Sequence, residues 1–221
     1  MAKVTLTFDN GPTTDVTPLV LDVLRSHDIL ASFYVIGRKL AEPDARKCSE
    51  RAKGEGHWIA NHSYTHTVSL GDGPASAFDD EVTKTQNELG DLAHPDKLFR
   101  PYCNSGVLDK RVLKRRDSER LAEEKYTCVL FNSLPRDWED AEGWIERGLG
   151  EINSCPWSTM VLHDISKSGA MNNLDRFINM AKDQGHEFVQ ELTPECVPIW
   201  CGEVLQSMDP YISDQNKLSE F

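Results

Sequence analysis

Thr7-Phe8-Asp9-Asn10-Gly11-Pro12 places a carboxylic acid and an amide side by side at the end of an apolar run, and His62-Ser63-Tyr64-Thr65-His66 places two imidazoles four residues apart. Two imidazoles at i and i+4 on a turn or short helix can share one face and chelate one transition ion. A satisfied pair of surface histidines is the alternative. Asn10 adds an amide oxygen that can turn toward a cation, and Asp9 has the chemistry of a general base. Asn-Gly and Gly-Pro are also among the commonest loop dipeptides, so the first segment alone reads more readily as a plain turn. Taken together, the four side chains suggest a hydrolytic metal centre.

Three further segments carry reactive groups. In Leu98-Phe99-Arg100-Pro101-Tyr102-Cys103-Asn104 a guanidinium ends an apolar run. It could hold a carboxylate such as Asp9 in position, or form a purely structural salt bridge. The backbone N–H groups after it are candidates to donate to a developing oxyanion. Pro135-Arg136-Asp137-Trp138 sets an acid beside a flat apolar wall, and Thr159-Met160-Val161-Leu162-His163-Asp164 ends a buried run with an imidazole. A lone histidine after such a run is usually structural. Paired with Asp137, His163 becomes a candidate general acid, because the carboxylate stabilises the imidazolium and fixes its tautomer. His57 and Asn61 flank the first histidine pair and need no catalytic role.

Short apolar runs alternate with helix-length amphipathic segments, the pattern of a parallel α/β structure. Strands are expected at residues 4–8, 32–36, 58–60, 98–100, 127–131, 159–162 and 187–189. Val16, Leu19, Val20, Val23 and Leu24 repeat at three and four residues, as in a helix resting on a sheet, and residues 108–124, 141–152 and 174–182 read the same way. Asp9, His62, Arg100, Asp137 and His163 each fall at, or a few residues beyond, the C-terminal end of an expected strand. In a closed βα barrel those ends converge on one face. Five separate segments therefore point to one pocket.

The 221 residues fit one domain, expected over residues 1–202 with a C-terminal extension over 203–221 that lacks periodicity. No apolar run is long enough to span a bilayer. A net charge of −12 argues against nucleic acid as a partner, because such binding draws on clustered cations. Lys110-Arg111 and Lys114-Arg115-Arg116 alternate with Asp117, Glu119 and Glu123 and read as a solvated helix face. The six cysteines lack paired C-x-x-C spacing, so reduced thiols are expected, with Cys128 in the core. Met1-Ala2-Lys3 runs directly into the first strand without the zones of a secretory signal, which gives a cytoplasmic location as the expectation.

Residues 7–12, 62–66, 100–103, 137–138 and 161–163, in that order, resemble the five motifs of the polysaccharide deacetylases, the NodB-homology domain of carbohydrate esterase family 4. The resemblance covers roughly residues 4–189. It implies a distorted (β/α)7-8 barrel and a hydrolase that removes acetyl groups from N- or O-acetylated carbohydrates with a divalent metal, zinc first, with cobalt, nickel or manganese as alternatives. By the same resemblance Asp9 is the base, Asn10 stands where the family has a metal-binding aspartate, and His62 and His66 are the metal imidazoles. Arg100 positions the base, Asp137 partners the acid His163, and Tyr102, Cys103, Trp138 and Val161 contact the substrate. Pro101-Tyr102 follows Arg100 without the family's intervening residue, so either Cys103 supplies the oxyanion amide or the loop is shifted by one. The implied partner is a small acetylated carbohydrate or a related amide, with no nucleic acid and no membrane, the oligomeric state being left open. Two alternatives stand beside this reading: a catalytically weakened carbohydrate-binding or regulatory protein on the same fold, and an amidase acting on a non-sugar amide.

Overall fold

In β1 (Lys3–Asp9) the side chains of Val4, Leu6 and Phe8 point to one face and those of Thr5, Thr7 and Asp9 to the other, and all six residues are buried. A strand buried on both faces needs helices outside and a filled interior, which is the demand of a βα barrel. The computed structural model describes residues 1–167 and 169–213. After β1 come α1 (Thr17–Ser26), β2 (Ser32–Val35), α2 (Pro43–Gly54), β3 (Trp58–Asn61), α3 (Lys84–Leu89) and β4 (Leu98–Phe99). Then follow β5 (Leu113–Lys114), α4 (Arg115–Glu123), β6 (Thr127–Cys128), α5 (Trp144–Ser154), β7 (Trp157–His163), α6 (Leu174–Asp183) and β8 (Glu187–Phe188). Short strands β9 (Ile199–Trp200), β10 (Glu203–Val204) and β11 (Ile212–Ser213) complete the described chain.

The main sheet runs β10-β9-β6-β4-β3-β2-β1-β7, with β8 also pairing β1. From β6 to β7 every pairing is parallel, whereas β9 and β10 pair antiparallel. Beyond β6 the chain bends back so that Ser133 bridges to Met160 of β7, and Val161 N–H donates to the Ser133 carbonyl at 3.0 Å. The curled sheet is thus drawn into a distorted barrel, as expected, with one bridge standing where a regular barrel has a ladder.

The outer layer follows from the helical periodicity. Val20, Leu21 and Leu24 of α1, Trp144 and Ile152 of α5, and Leu174, Phe177 and Ile178 of α6 share one core with Val4, Leu6 and Phe8. Each such side chain contributes about 1.5–3 kcal/mol when fully buried. Leu19, counted in the expected stripe of α1, is instead 49% exposed, so the stripe is narrower than the sequence pattern.

Two expected elements are adjusted, and one helix, α2, was not expected. The helix expected over residues 108–124 begins only at Arg115; β5 precedes it, and the Asp117 carboxylate accepts the Lys114 N–H at 3.3 Å at the helix start. The strand expected over 127–131 keeps ladder pairing only at Thr127–Cys128, because the next residues turn toward the Ser133 bridge. The buried positions of α2 are Ala45, Cys48, Ser49 and Ala52, a stripe of small residues that gives little hydrophobic signal. Of residues 203–221, β10 pairs with β9 and β11 with β5, and Met208 and Ile212 are buried beside Leu113 and Leu121. Residues 214–221 lie outside the described chain. Among the described residues no helix is long and apolar enough to cross a membrane.

Candidate active site

Strand register assembles the site. Asp9, the last residue of β1, lies opposite His163, the last of β7, and Asn61 lies opposite Phe99, which sets His62 beside Arg100 at the same barrel rim. The polar face of β1 then points into the barrel. Thr7 donates its hydroxyl to the Met160 carbonyl at 2.8 Å and accepts from Arg100 Nη1 at 2.8 Å. The same Nη1 donates to Asp9 Oδ1 at 2.6 Å, while Nε reaches the Val129 carbonyl at 3.3 Å and the guanidinium lies 3.9 Å from the centre of the Tyr34 ring. Burial opposes the Arg100 charge, but the Asp9 carboxylate outweighs it, and its pKa is raised. A buried pair of this kind is expensive to break from one side, because the remaining charge has no partner.

His62 is buried, and its Nδ1 lies 2.8 Å from the Arg100 carbonyl. A carbonyl only accepts, so Nδ1 carries the proton and Nε2 keeps its lone pair. That Nε2 faces Asp9 Oδ2 at 3.4 Å. The His66 ring stands 4.7 Å from His62 and 4.5 Å from Tyr102, centre to centre. Burial is the main reason both imidazoles lose proton affinity; the pKa of His66 is pushed down to about 2, with His62 and His163 adding repulsion. Both therefore present neutral, ligand-competent rings.

Asn10 takes a left-handed backbone (φ 75°), and its Oδ1 is buried without a hydrogen-bond partner among the described residues. An orphaned carbonyl-type oxygen lining the same cavity as two neutral imidazoles fits a divalent cation. Among the described residues there is no metal-competent group of three His, Cys, Asp or Glu side chains. Two imidazoles and one amide oxygen make a set with no protein charge of its own.

Across the cavity the Asp137 carboxylate, fully buried, grips His163 twice. It accepts from the backbone N–H at 2.9 Å and from the ring Nδ1 at 2.7 Å. Burial works against the imidazolium, yet the Asp137 hydrogen bond and charge prevail, and the His163 pKa lies above its ordinary value. Trp138 meets the His163 ring edge to face at 4.8 Å. With Nδ1 committed to Asp137, Nε2 is the nitrogen that can deliver a proton.

These groups line one cavity of about 340 Å³, in the usual range for a small-ligand site. All eleven candidate site residues touch it or, for Asp137, act through one that does. Tyr102, Cys103, Trp138 and Val161 form walls, joined by Phe131, Leu134, Ile165 and Lys167, which the sequence did not single out. Among the described residues the backbone N–H groups of Tyr102 and Cys103 have no acceptor. Burial pushes the Cys103 thiol up to about 12, so it sits there as a neutral wall.

Sequence reasoning also missed Glu81. This buried acid accepts from the Tyr64 and Thr65 N–H groups at 2.8 Å each and from the Thr65 hydroxyl at 2.6 Å, shaping the turn between the two histidines. Ser63 and His66 both take positive φ in that turn, 67° and 57°. Asn61 holds it too, its amide donating to the Val82 carbonyl at 2.9 Å and its Oδ1 accepting from Ser63 N–H at 3.1 Å. His57 is structural, its Nδ1 accepting from Ala31 N–H at 3.1 Å. Glu81 lies in one turn of π-helix, Phe78–Thr83, and no local spacing ties it to the histidines.

Known proteins resemble this chain in sequence and in fold. The family profile for polysaccharide deacetylase matches residues 2–116. The peptidoglycan N-acetylglucosamine deacetylase PgdA of Listeria monocytogenes is 29% identical over 195 residues, a match covering 85% of this chain and 37% of that protein. The chitooligosaccharide deacetylase of a Bradyrhizobium species is 33% identical over 167 residues, covering 73% of this chain and 70% of its own. The crystal structure of the Bc1960 peptidoglycan N-acetylglucosamine deacetylase superposes with a TM-score of 0.70 at 28% identity, covering 85% of each chain. The chain thus spans little more than a third of the length of the Listeria relative.

Proposed function

Because this chain belongs to the polysaccharide deacetylase family, we propose that it is a metal-dependent hydrolase removing an acetyl group from an N-acetylated carbohydrate. The observation that carries the reading is the pairing of Asp9 with His163 across β1 and β7, with both imidazoles and the orphaned Asn10 oxygen opening on the same cavity. A base and an acid at neighbouring strand ends face one small volume from two sides.

Asn10, His62 and His66 would hold a divalent ion, which when bound supplies Lewis acidity toward a carbonyl and acidifies a water molecule. Asp9, oriented by Arg100, accepts the proton of the attacking water at Oδ2, the oxygen that Arg100 leaves free. The unpaired N–H groups of Tyr102 and Cys103 donate to the carbonyl oxygen as it gains charge. His163 delivers its Nε2 proton to the departing nitrogen, and Asp137 steadies the imidazolium until that moment. Trp138, Val161 and Leu134 keep bulk water off the acetyl methyl.

The neutral amide at Asn10 favours one second reading, a catalytically weakened carbohydrate-binding protein. Acetate release from N-acetylated chitooligosaccharides, measured with added Zn2+ or Co2+, separates the two. We expect release by the wild type and its loss in Asp9→Asn. A wild type that binds the oligosaccharide and releases no acetate, beside an active Asn10→Asp, would overturn the enzymatic reading.

A further inference from the structure

The residue after the candidate acid, Asp164, is wholly buried, and the proposed mechanism gives it no part. Its surroundings are specific. The place a Cβ would occupy on Gly11 is filled by both oxygens and the Cγ of the Asp164 carboxyl. Thr17, at the start of α1, donates its hydroxyl to Asp164 Oδ2 at 2.5 Å and accepts the Thr13 N–H at 2.8 Å. Lys39 donates to the Thr13 hydroxyl at 3.0 Å. On its other side the turn is tied to β2, since Asn10 N–H donates to the Tyr34 carbonyl at 3.2 Å and the Gly11 carbonyl accepts from Ile36 N–H at 2.9 Å.

A buried carboxyl is a costly filler. Asp164 Oδ1 has no hydrogen-bond partner among the described residues, and burial pushes the group up to about 7. An apolar side chain of similar size would avoid that cost. What such a side chain would not provide is a polar group that grips Thr17 while lying flat on a bare Cα. Only glycine admits that approach.

We propose, on the deacetylase reading above, that Asp164 is a positioning residue: its carboxyl, wedged between the Gly11 Cα and the Thr17 hydroxyl, locks the Asp9–Asn10–Gly11 turn to the strand that carries His163 and so sets the spacing of base and acid. The lock joins neighbours by construction, because Asp9 ends β1 opposite His163 and Asp164 follows His163 directly. A displacement on the order of 1 Å between reacting groups costs about a hundredfold in rate.

The test is a double-mutant cycle on Gly11→Ala and Asp164→Ala, read by acetate release from N-acetylated chitooligosaccharides and by thermal unfolding. Asp164→Ala should lower kcat by about 10–100-fold with KM within about threefold of wild type, and Asp164→Asn, which keeps the shape and the acceptor for Thr17, should restore kcat to within about threefold. Gly11→Ala should be at least as damaging alone, and nearly without further cost in the Asp164→Ala background, in kcat and in unfolding midpoint alike. Additive effects in both readouts, or a kcat for Asp164→Ala within threefold of wild type, would overturn the proposal. The unfolding cycle judges the contact even if the wild type releases no acetate, so failure of the lock and failure of the deacetylase reading are distinguishable.

Discussion

The cavity holds two sets of imidazoles whose proton affinities are driven in opposite directions. On one wall His62 and His66 are neutral: burial outweighs the Asp9 carboxylate and the Arg100 carbonyl at His62, and at His66 neighbouring positive charge adds to it. On the other wall His163 is equally enclosed, but a fully buried carboxylate holds both its ring nitrogen and its backbone N–H, and its pKa is raised. Burial alone does not decide what a histidine does. The acceptor placed on Nδ1 does: a carbonyl leaves a lone pair for a cation, and a carboxylate stabilises a proton for delivery.

The contrast is most exposed on the acid wall. His163→Ala should reduce kcat by about 10²–10⁴-fold, the usual worth of a positioned general acid. The wild-type rate should hold while His163 is protonated, beyond its ordinary range, and fall as pH rises through its raised pKa. Asp137→Asn removes the charge that raises it, so the alkaline limb should move to lower pH. A limb that stays in place in Asp137→Asn would show that another group supplies the proton.

The metal wall should respond less steeply. Asn10→Asp supplies the charge that the ligand set lacks and should tighten Zn2+ binding in calorimetry by about 10–100-fold or more, because a charged ligand should be worth at least as much as the outer-shell partner of one. His62→Ala should weaken it by at least as much. Equal affinities in wild type and Asn10→Asp would place the cation elsewhere.

How much of this contrast the sequence disclosed depends on the range of the interaction. The reactive residues were legible because each lies at, or a few residues beyond, the end of an apolar run, and strand ends converge in a parallel barrel. The roles of the histidines were legible only in part. The Asp137–His163 pairing was expected from the two motifs, whereas the carbonyl at His62 is set by register between β3 and β4, which no local pattern encodes. Glu81 and Asp164 were unread for the same reason. Each acts on a turn 16 or more residues away, Glu81 on Thr65 and Asp164 on Gly11. The helix α2 went unseen because its buried stripe is made of small side chains, and residues 108–112 looked helical because charge spacing there mimics a solvated face.

A further expected effect concerns stability and separates the two walls by sign. His66 is neutral in the folded protein down to about pH 2, whereas an unfolded imidazole takes up a proton below about pH 6.5. The unfolded state thus binds more protons in that interval, and stability falls as pH drops, by about 1.4 kcal/mol per pH unit from this residue. For a chain of this size that corresponds to about 3–6 °C in unfolding midpoint per unit. The raised pKa of His163 acts the other way: its contribution is present at low pH and is lost as pH rises through that raised value. Unfolding midpoints of chelator-treated protein, compared between wild type and His66→Gln, should therefore diverge below pH 6.5, with the variant falling less steeply, and run parallel above it. Parallel curves throughout would mean that His66 is protonated in the folded state, and the two walls would then differ in geometry alone.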